Sequence, residues 1–144
     1  MHAAFPLPDP DFAPTREFWA AAARRELRMP RCGCGAWRWY PAESCAACGT
    51  RAAPDWELQS GRARLFSWCV VRHVFLPHFA ERVPYVTGLV VLEESKLRLA
   101  TEIVDCAPEA LAAELPLEVA FRALRFPGVA GEAVAPCFRP RGGT

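Results

Sequence analysis

The 144-residue chain predicts a mainly β protein: one N-terminal helix, a short metal-stapled ribbon, then a five-stranded barrel. Three observations carry that prediction. Apolar residues recur at helical spacing before Pro30. Four of the seven cysteines crowd into 17 residues. From Trp56 onward, β-branched and aromatic runs alternate with polar turns. The expected division is an arm and helix over 1–30, a ribbon over 31–54 and a barrel over 55–144.

Each element has a local reason. Residues 1–14 hold four prolines and two aspartates and read as an extended arm. Thr15 is placed to cap a helix running to about Arg28, with Glu17 near its positive N-terminal end. Phe18, Trp19, Ala22, Ala23 and Leu27 form its apolar stripe, and Pro30 ends it. In the barrel half, Leu65–Phe75 and Tyr85–Leu92 are apolar strand runs, followed by the polar turn Glu93–Lys96. Leu97, Leu99, Thr101 and Ile103 alternate with Arg98, Ala100, Glu102 and Val104, the pattern of a half-buried strand. Pro108–Leu115 reads as a short helix closed by Pro116. Leu117–Ala123 alternates again, and Ala133–Phe138 adds a closing strand. Five strands with a short helix before a late one fit a small Greek-key barrel, of which the OB-fold is the common version.

The cysteines divide by position. Cys32, Cys34, Cys45 and Cys48 form two short pairs separated by ten residues, the spacing of a zinc ribbon in which four thiolates converge on one ion. The second pair has the usual two-residue gap and a following Gly49. The first, Cys32-Gly33-Cys34-Gly35, is one residue short, so a metal-free ribbon or a redox pair stands beside the zinc reading. Four cysteine ligands leave no open position, so the expected zinc, one per chain, is structural. Between the pairs, Trp37, Trp39 and Tyr40 lie on an expected hairpin and pack on the helix or barrel, or else face a partner. Cys69, Cys106 and Cys137 sit in apolar surroundings and read as buried, inert residues.

Composition excludes several classes. The chain is 52% hydrophobic and 23% charged, which suits a packed core and not disorder. No apolar run approaches the roughly 20 residues of a membrane span. Met1–Pro6 has no basic region leading into an apolar core, so no secretory signal is read and a cytoplasmic location is expected. Net charge is +1, against the strongly basic footprint of a nucleic-acid binder. Residues 15–64 carry nine arginines against five acids, and residues 65–144 eight bases against nine acids.

The order of features resembles a known family. Phe18-Trp19, Met29-Pro30-Arg31-Cys32, Arg38-Trp39-Tyr40-Pro41, Cys45-Ala46-Ala47-Cys48-Gly49-Thr50 and Ser60-Gly61-Arg62 carry the likeness, with Pro84-Tyr85-Val86, Leu89–Leu92 and Phe138-Arg139-Pro140. They are similar to the small proteins that join an N-terminal helix, a rubredoxin-like zinc ribbon and an OB-fold, and that accompany thiolase-like enzymes acting on acyl-CoA. The shortened first knuckle departs from that family's pattern. The resemblance implies an accessory, non-catalytic or co-catalytic subunit of lipid metabolism. Its partner would be a thiolase-like or lipid-transfer-protein-like enzyme, a retro-aldolase or an acyltransferase, and the subunit would help to assemble the complex and hold the acyl-CoA. It carries over no catalytic residue.

Two surfaces fit that reading. Phe75-Leu76-Pro77-His78-Phe79 is unusually apolar for a loop, and either meets a partner or folds back on the barrel end. Arg31 and Arg38, within the basic excess, either face CoA phosphates or line a solvated face. The alternative function is single-stranded nucleic-acid binding, for which zinc ribbons and OB-folds both serve. A stand-alone enzyme would draw on His73, His78 and Glu81, but no nucleophile elbow, phosphate loop or paired-carboxylate motif accompanies them.

Overall fold

A computed structural model of the protein describes residues 5–142. The stretch Met1–Ala4, read above for a leader, lies outside the described residues. A 3-10 turn over Ala13–Thr15 leads into helix α1, Arg16–Ala23. The expected helix to Arg28 is thus too long. Its end is closed by Arg25 N–H to Ala22 O at 2.9 Å and Glu26 N–H to Ala21 O at 3.0 Å, with Arg25 left-handed at φ 61°. Glycine usually takes that position. Thr15 stands at the helix start, but its hydroxyl makes no capping bond. Phe18, Ala21 and Ala22 are buried, and α1 packs on strand β7, defined below.

Ending the helix early frees Arg28–Arg31 to form β1, which pairs antiparallel with β2, Asp55–Leu58. The loop between these strands carries all four clustered cysteines. The expected hairpin through Trp37–Tyr40 shrinks to one bridge, Arg31 with Trp37. The reason is length: β1 has four residues and runs straight into the Cys32 knuckle.

The remaining strands are β3 (Arg62–Val71), β4 (Tyr85–Leu92), β5 (Arg98–Ile103), β6 (Pro116–Leu124) and β7 (Ala133–Pro140). They close a barrel in the order β3-β4-β5-β7-β6. All neighbours are antiparallel except β5 and β7, which meet in parallel at Ile103 and Phe138. This is the five-stranded Greek-key order of an OB-fold. Leu65, Val90, Leu92, Leu117 and Phe138 are fully buried at its centre.

Two expected elements are shorter than their sequence runs. The strand predicted to Phe75 ends at Val71, and the helix predicted over Pro108–Leu115 is a single 3-10 turn, Pro108–Ala110. Leu111 explains the second: it is buried, in an extended conformation of φ −71° and ψ 131°, so core burial draws the chain out of the helix. Glu114 N–H then bonds Leu65 O at 2.8 Å.

Strand β3 is irregular in a way that matters below. Its register against β4 slips between Leu65 and Ser67, a bulge at Phe66. Gly88 on β4 permits the close approach, since a Cβ there would lie 3.0 Å from Ser67 O. β6 pairs only with Arg62–Arg64 of β3, and Leu65 exchanges bonds with Leu115 and Glu114. β4 continues alongside to Val71. From Phe66 to Val71, β3 therefore has a strand on one side only among the described residues. No described helix is long and apolar enough to cross a membrane.

Candidate functional site

The two knuckles bring Cys32, Cys34, Cys45 and Cys48 together, with all four sulfurs within 4.8 Å of one another. Cys32 Sγ lies 3.7 Å from Cys48 Sγ, and Cys34 Sγ lies 3.8 Å from Cys45 Sγ. Tetrahedral ligands about 2.3 Å from one ion stand about 3.8 Å apart, so the donor set fits a zinc-sized cation; disulfides would need about 2 Å. The short knuckle closes by Cys32 N–H to Ala36 O and Gly35 N–H to Cys32 O, both 2.8 Å, with Gly35 at φ 92°. The longer one repeats the design with Cys45 N–H to Thr50 O at 2.9 Å, Gly49 N–H to Cys45 O at 2.8 Å and Gly49 at φ 73°.

The sulfurs differ electrically. Backbone N–H groups of Cys48 and Ala47 point at Cys45 and lower its thiol to about 6. Cys32 receives the backbone N–H of Cys34, yet desolvation and the neighbouring sulfurs outweigh it and push the thiol up to about 11. In the thiol cluster, Cys45 is thus the sulfur that carries negative charge. A divalent cation held there would supply the charge the others need to ionise.

Arg31 and Arg38 brace this ribbon. Arg31 bonds Gly35 O at 3.1 Å, pairs with Glu57 at 3.3 Å and lies 5.1 Å over the Trp37 ring. Arg38 donates to Ala52 O at 2.7 Å and Ala42 O at 3.0 Å, joining the two limbs. The loop after β3 divides. Phe79 packs inward on Phe126 and His78 meets Phe5 edge-on, whereas Phe75 is fully exposed at 101% and Leu76 is exposed. His73 and Glu81 are exposed and make no hydrogen bond or ion pair among the described residues. Of the three isolated cysteines, only Cys137 is buried, and burial pushes its thiol up. The expectation of burial is corrected for Cys106, which is half-buried, and for Cys69, exposed because it follows the β3 bulge.

A cleft of about 730 Å³ lies where arm, helix, ribbon and barrel meet. Phe12, Phe18, Trp19, Trp39 and Tyr40 form an aromatic wall, in which Trp39 lies 5.2 Å from Phe18 and 5.3 Å from Tyr40. The opposite wall includes Ala100 of β5 with Ala135 and Cys137 of β7, small side chains on the strand faces opposite Leu99 and Phe138. Arg82, held by Glu102 at 2.6 Å, and Arg122, held by Asp105 at 2.6 Å, stand at its margin. The volume and the largely apolar lining are those of a small-molecule site. The sequence, in which Trp39 and Tyr40 either pack on the helix or barrel or face a partner, does not foretell the cleft. Its signal was alanine at outward strand positions where polar residues are usual.

A family model described as the C-terminal OB-fold domain of ChsH2 matches residues 56–122. A "DUF35 domain-containing scaffold protein" of Methanocaldococcus jannaschii is 31% identical over 99 residues, covering 68% of this chain and 69% of that protein. The chain belongs to the DUF35 family. A "Probable enoyl-CoA hydratase alpha subunit" of Thermomonospora curvata is 34% identical to this DUF35 chain over 114 residues, 76% of its length. The chain spans only 34% of that relative. A solved chain of an "Ltp2-ChsH2(DUF35) aldolase" superposes with a TM-score of 0.77 at 28% identity, covering 92% of this DUF35 chain and 98% of the other.

Proposed function

We propose that this chain is the accessory subunit of an acyl-CoA-processing complex, joined to a thiolase-like or lipid-transfer-protein-like enzyme that carries the chemistry. The observation that carries the reading is the likeness, over 92% of the chain, to a solved chain of an Ltp2-ChsH2(DUF35) aldolase. The three units of the sequence reading, arm and helix, zinc ribbon and OB-fold, are kept with shifted bounds: β1 and β2 pair across the ribbon, which therefore spans 28–58 and not 31–54, and the barrel opens at Arg62 and not at 55. Zinc in the four-cysteine centre is structural, since four sulfurs leave no position for water or substrate. The chain supplies no catalytic residue. Seven free cysteines are in keeping with a cytoplasmic protein.

Phe75 and Leu76 are the exposed contact for the partner, with His78 and Phe79 anchoring their loop from beneath. The cleft takes the apolar part of the acyl group, because its margin balances Arg82 and Arg122 against Glu102 and Asp9 and favours an uncharged body. Arg31, whose side chain is 42% exposed, retains donors for a CoA phosphate; Arg38 positions the ribbon beneath it.

Native purification from the host, with identification of whatever travels with the chain, tests the subunit reading. A thiolase-like or lipid-transfer-protein-like companion in stoichiometric amount is expected. A monomer with no such companion would overturn it. Calorimetry with dodecanoyl-CoA on the recovered complex tests the acyl-CoA assignment, which fails if no heat of binding is seen.

A further inference from the structure

We propose that the open edge of β3, Phe66–Val71, receives an extended, acidic strand of the partner enzyme and so completes a sheet across the two subunits. The inference rests on the accessory-subunit reading and adds the mode of contact. In an otherwise closed barrel this stretch is paired, among the described residues, by β4 alone, because the β6 pairing reaches no further than Arg64. Unpaired strand backbone is a template for another strand. Six residues match an ordinary strand's length.

The side chains do nothing to discourage pairing. Edge strands are usually blunted by lysine, proline or inward charge. Phe66–Val71 contains none of these; its bulge, another blunting device, lies at the Phe66 end and leaves Ser67–Val71 in continuous register with β4. Phe66, Ser67, Trp68 and Cys69 are consecutively exposed. The apolar surface continues through Phe75 and Leu76, just beyond the strand.

Charge decides the occupant. Arg64 and Arg72 flank the open stretch, and Arg98 lies 4.1 Å over the Phe66 ring. Among the described residues, the Arg64 side chain bonds only Glu114 O, and no carboxylate pairs with any of the three. A second copy pairing antiparallel along this edge would set Arg64 of one chain towards Arg72 of the other, which is repulsive. An acidic partner strand meets the same arginines favourably.

The test uses the native complex and the isolated chain. Hydrogen exchange followed by mass spectrometry should slow at residues 66–71 in the complex by about tenfold or more, as for amides newly hydrogen-bonded. Trp68→Lys and Cys69→Lys, each checked for native circular dichroism and metal content, should weaken the complex by roughly a hundredfold, the scale of losing a central contact. Arg64→Glu with Arg72→Glu should weaken it further at low salt than at high salt. If the companion is recovered but binds the lysine variants as tightly as the parent, with unchanged exchange at 66–71, the edge proposal fails and the subunit reading stands. If no companion exists, both fail. A dimer of the isolated chain protected at 66–71 would overturn the choice of occupant.

Discussion

At Gly61 the backbone turns left-handed, φ 82°, directly beneath Val119, and any Cβ would overlap Val119 Cγ1. Gly61→Ala therefore combines an unfavourable backbone conformation with overpacking and should cost about 2–4 kcal/mol, read as a lower urea midpoint at unchanged slope. Phe75 is the opposite case. Its ring touches solvent on all sides, so Phe75→Ser should change stability by less than about 0.5 kcal/mol while reducing recovery of the companion subunit. Burial distinguishes the two, and only part of that was legible. Gly61 was visible as a strand opener, but its collision partner lies 58 positions away in sequence. The loop 75–79 was visible as apolar, but which of its side chains turn inward depends on Phe126 and Phe5. Cys69 misled for a related reason: its apolar neighbours promised burial, and the bulge at Phe66 left it exposed.

Helix α1 and the ribbon carry the predictions at the level of elements. Arg25 occupies a left-handed helix end that glycine adopts without strain, and among the described residues its side chain makes only a long bond of 3.5 Å to Phe121 O. Arg25→Gly should raise stability by about 0.5–1 kcal/mol in thermal or denaturant unfolding. The helix was predicted past this point because Leu27 kept the apolar spacing, whereas in the fold Leu27 is buried after the helix has ended. In the ribbon, Cys45→Ser removes the sulfur that the backbone amides prepare for charge. Metal content should drop from about one equivalent to near zero, and the β1–β2 ladder should lose its exchange protection. Acid should release the ion: ligand sulfurs must be deprotonated, and below about 6 even Cys45 takes up its proton, so affinity falls as pH falls. Titration with a colorimetric zinc chelator from pH 8 to 5 reads this directly. The cysteine spacing made the centre legible; what it left open was whether a one-residue gap closes, which Gly35 answers through its left-handed backbone and its bond to Cys32 O.

For the whole molecule, strand order was inferable because alternation fixes which residues face inward and Greek-key connection is the common way to join five such strands. The cleft was not inferable, because it belongs to no single segment. Its aromatic wall comes from the arm, α1 and the ribbon, and its floor from strands 35 residues apart in sequence, as with Ala100 and Ala135. The same floor straddles the place where the barrel is joined most narrowly. β5 and β7 share one register pair, Ile103 with Phe138, reinforced by Val104 N–H to Phe138 O at 2.8 Å and the Thr101 hydroxyl to Pro136 O at 3.1 Å. A seam so thin is where the cylinder should breathe first, and an apolar guest spanning Ala100 and Ala135 would act as a rivet across it. Occupancy at a hundred times the dissociation constant should then deepen the stability of the closed barrel by about 2.7 kcal/mol. That gain would appear as slowed exchange along residues 98–103 and 133–140 together, so the guest would be detected through the wall it steadies.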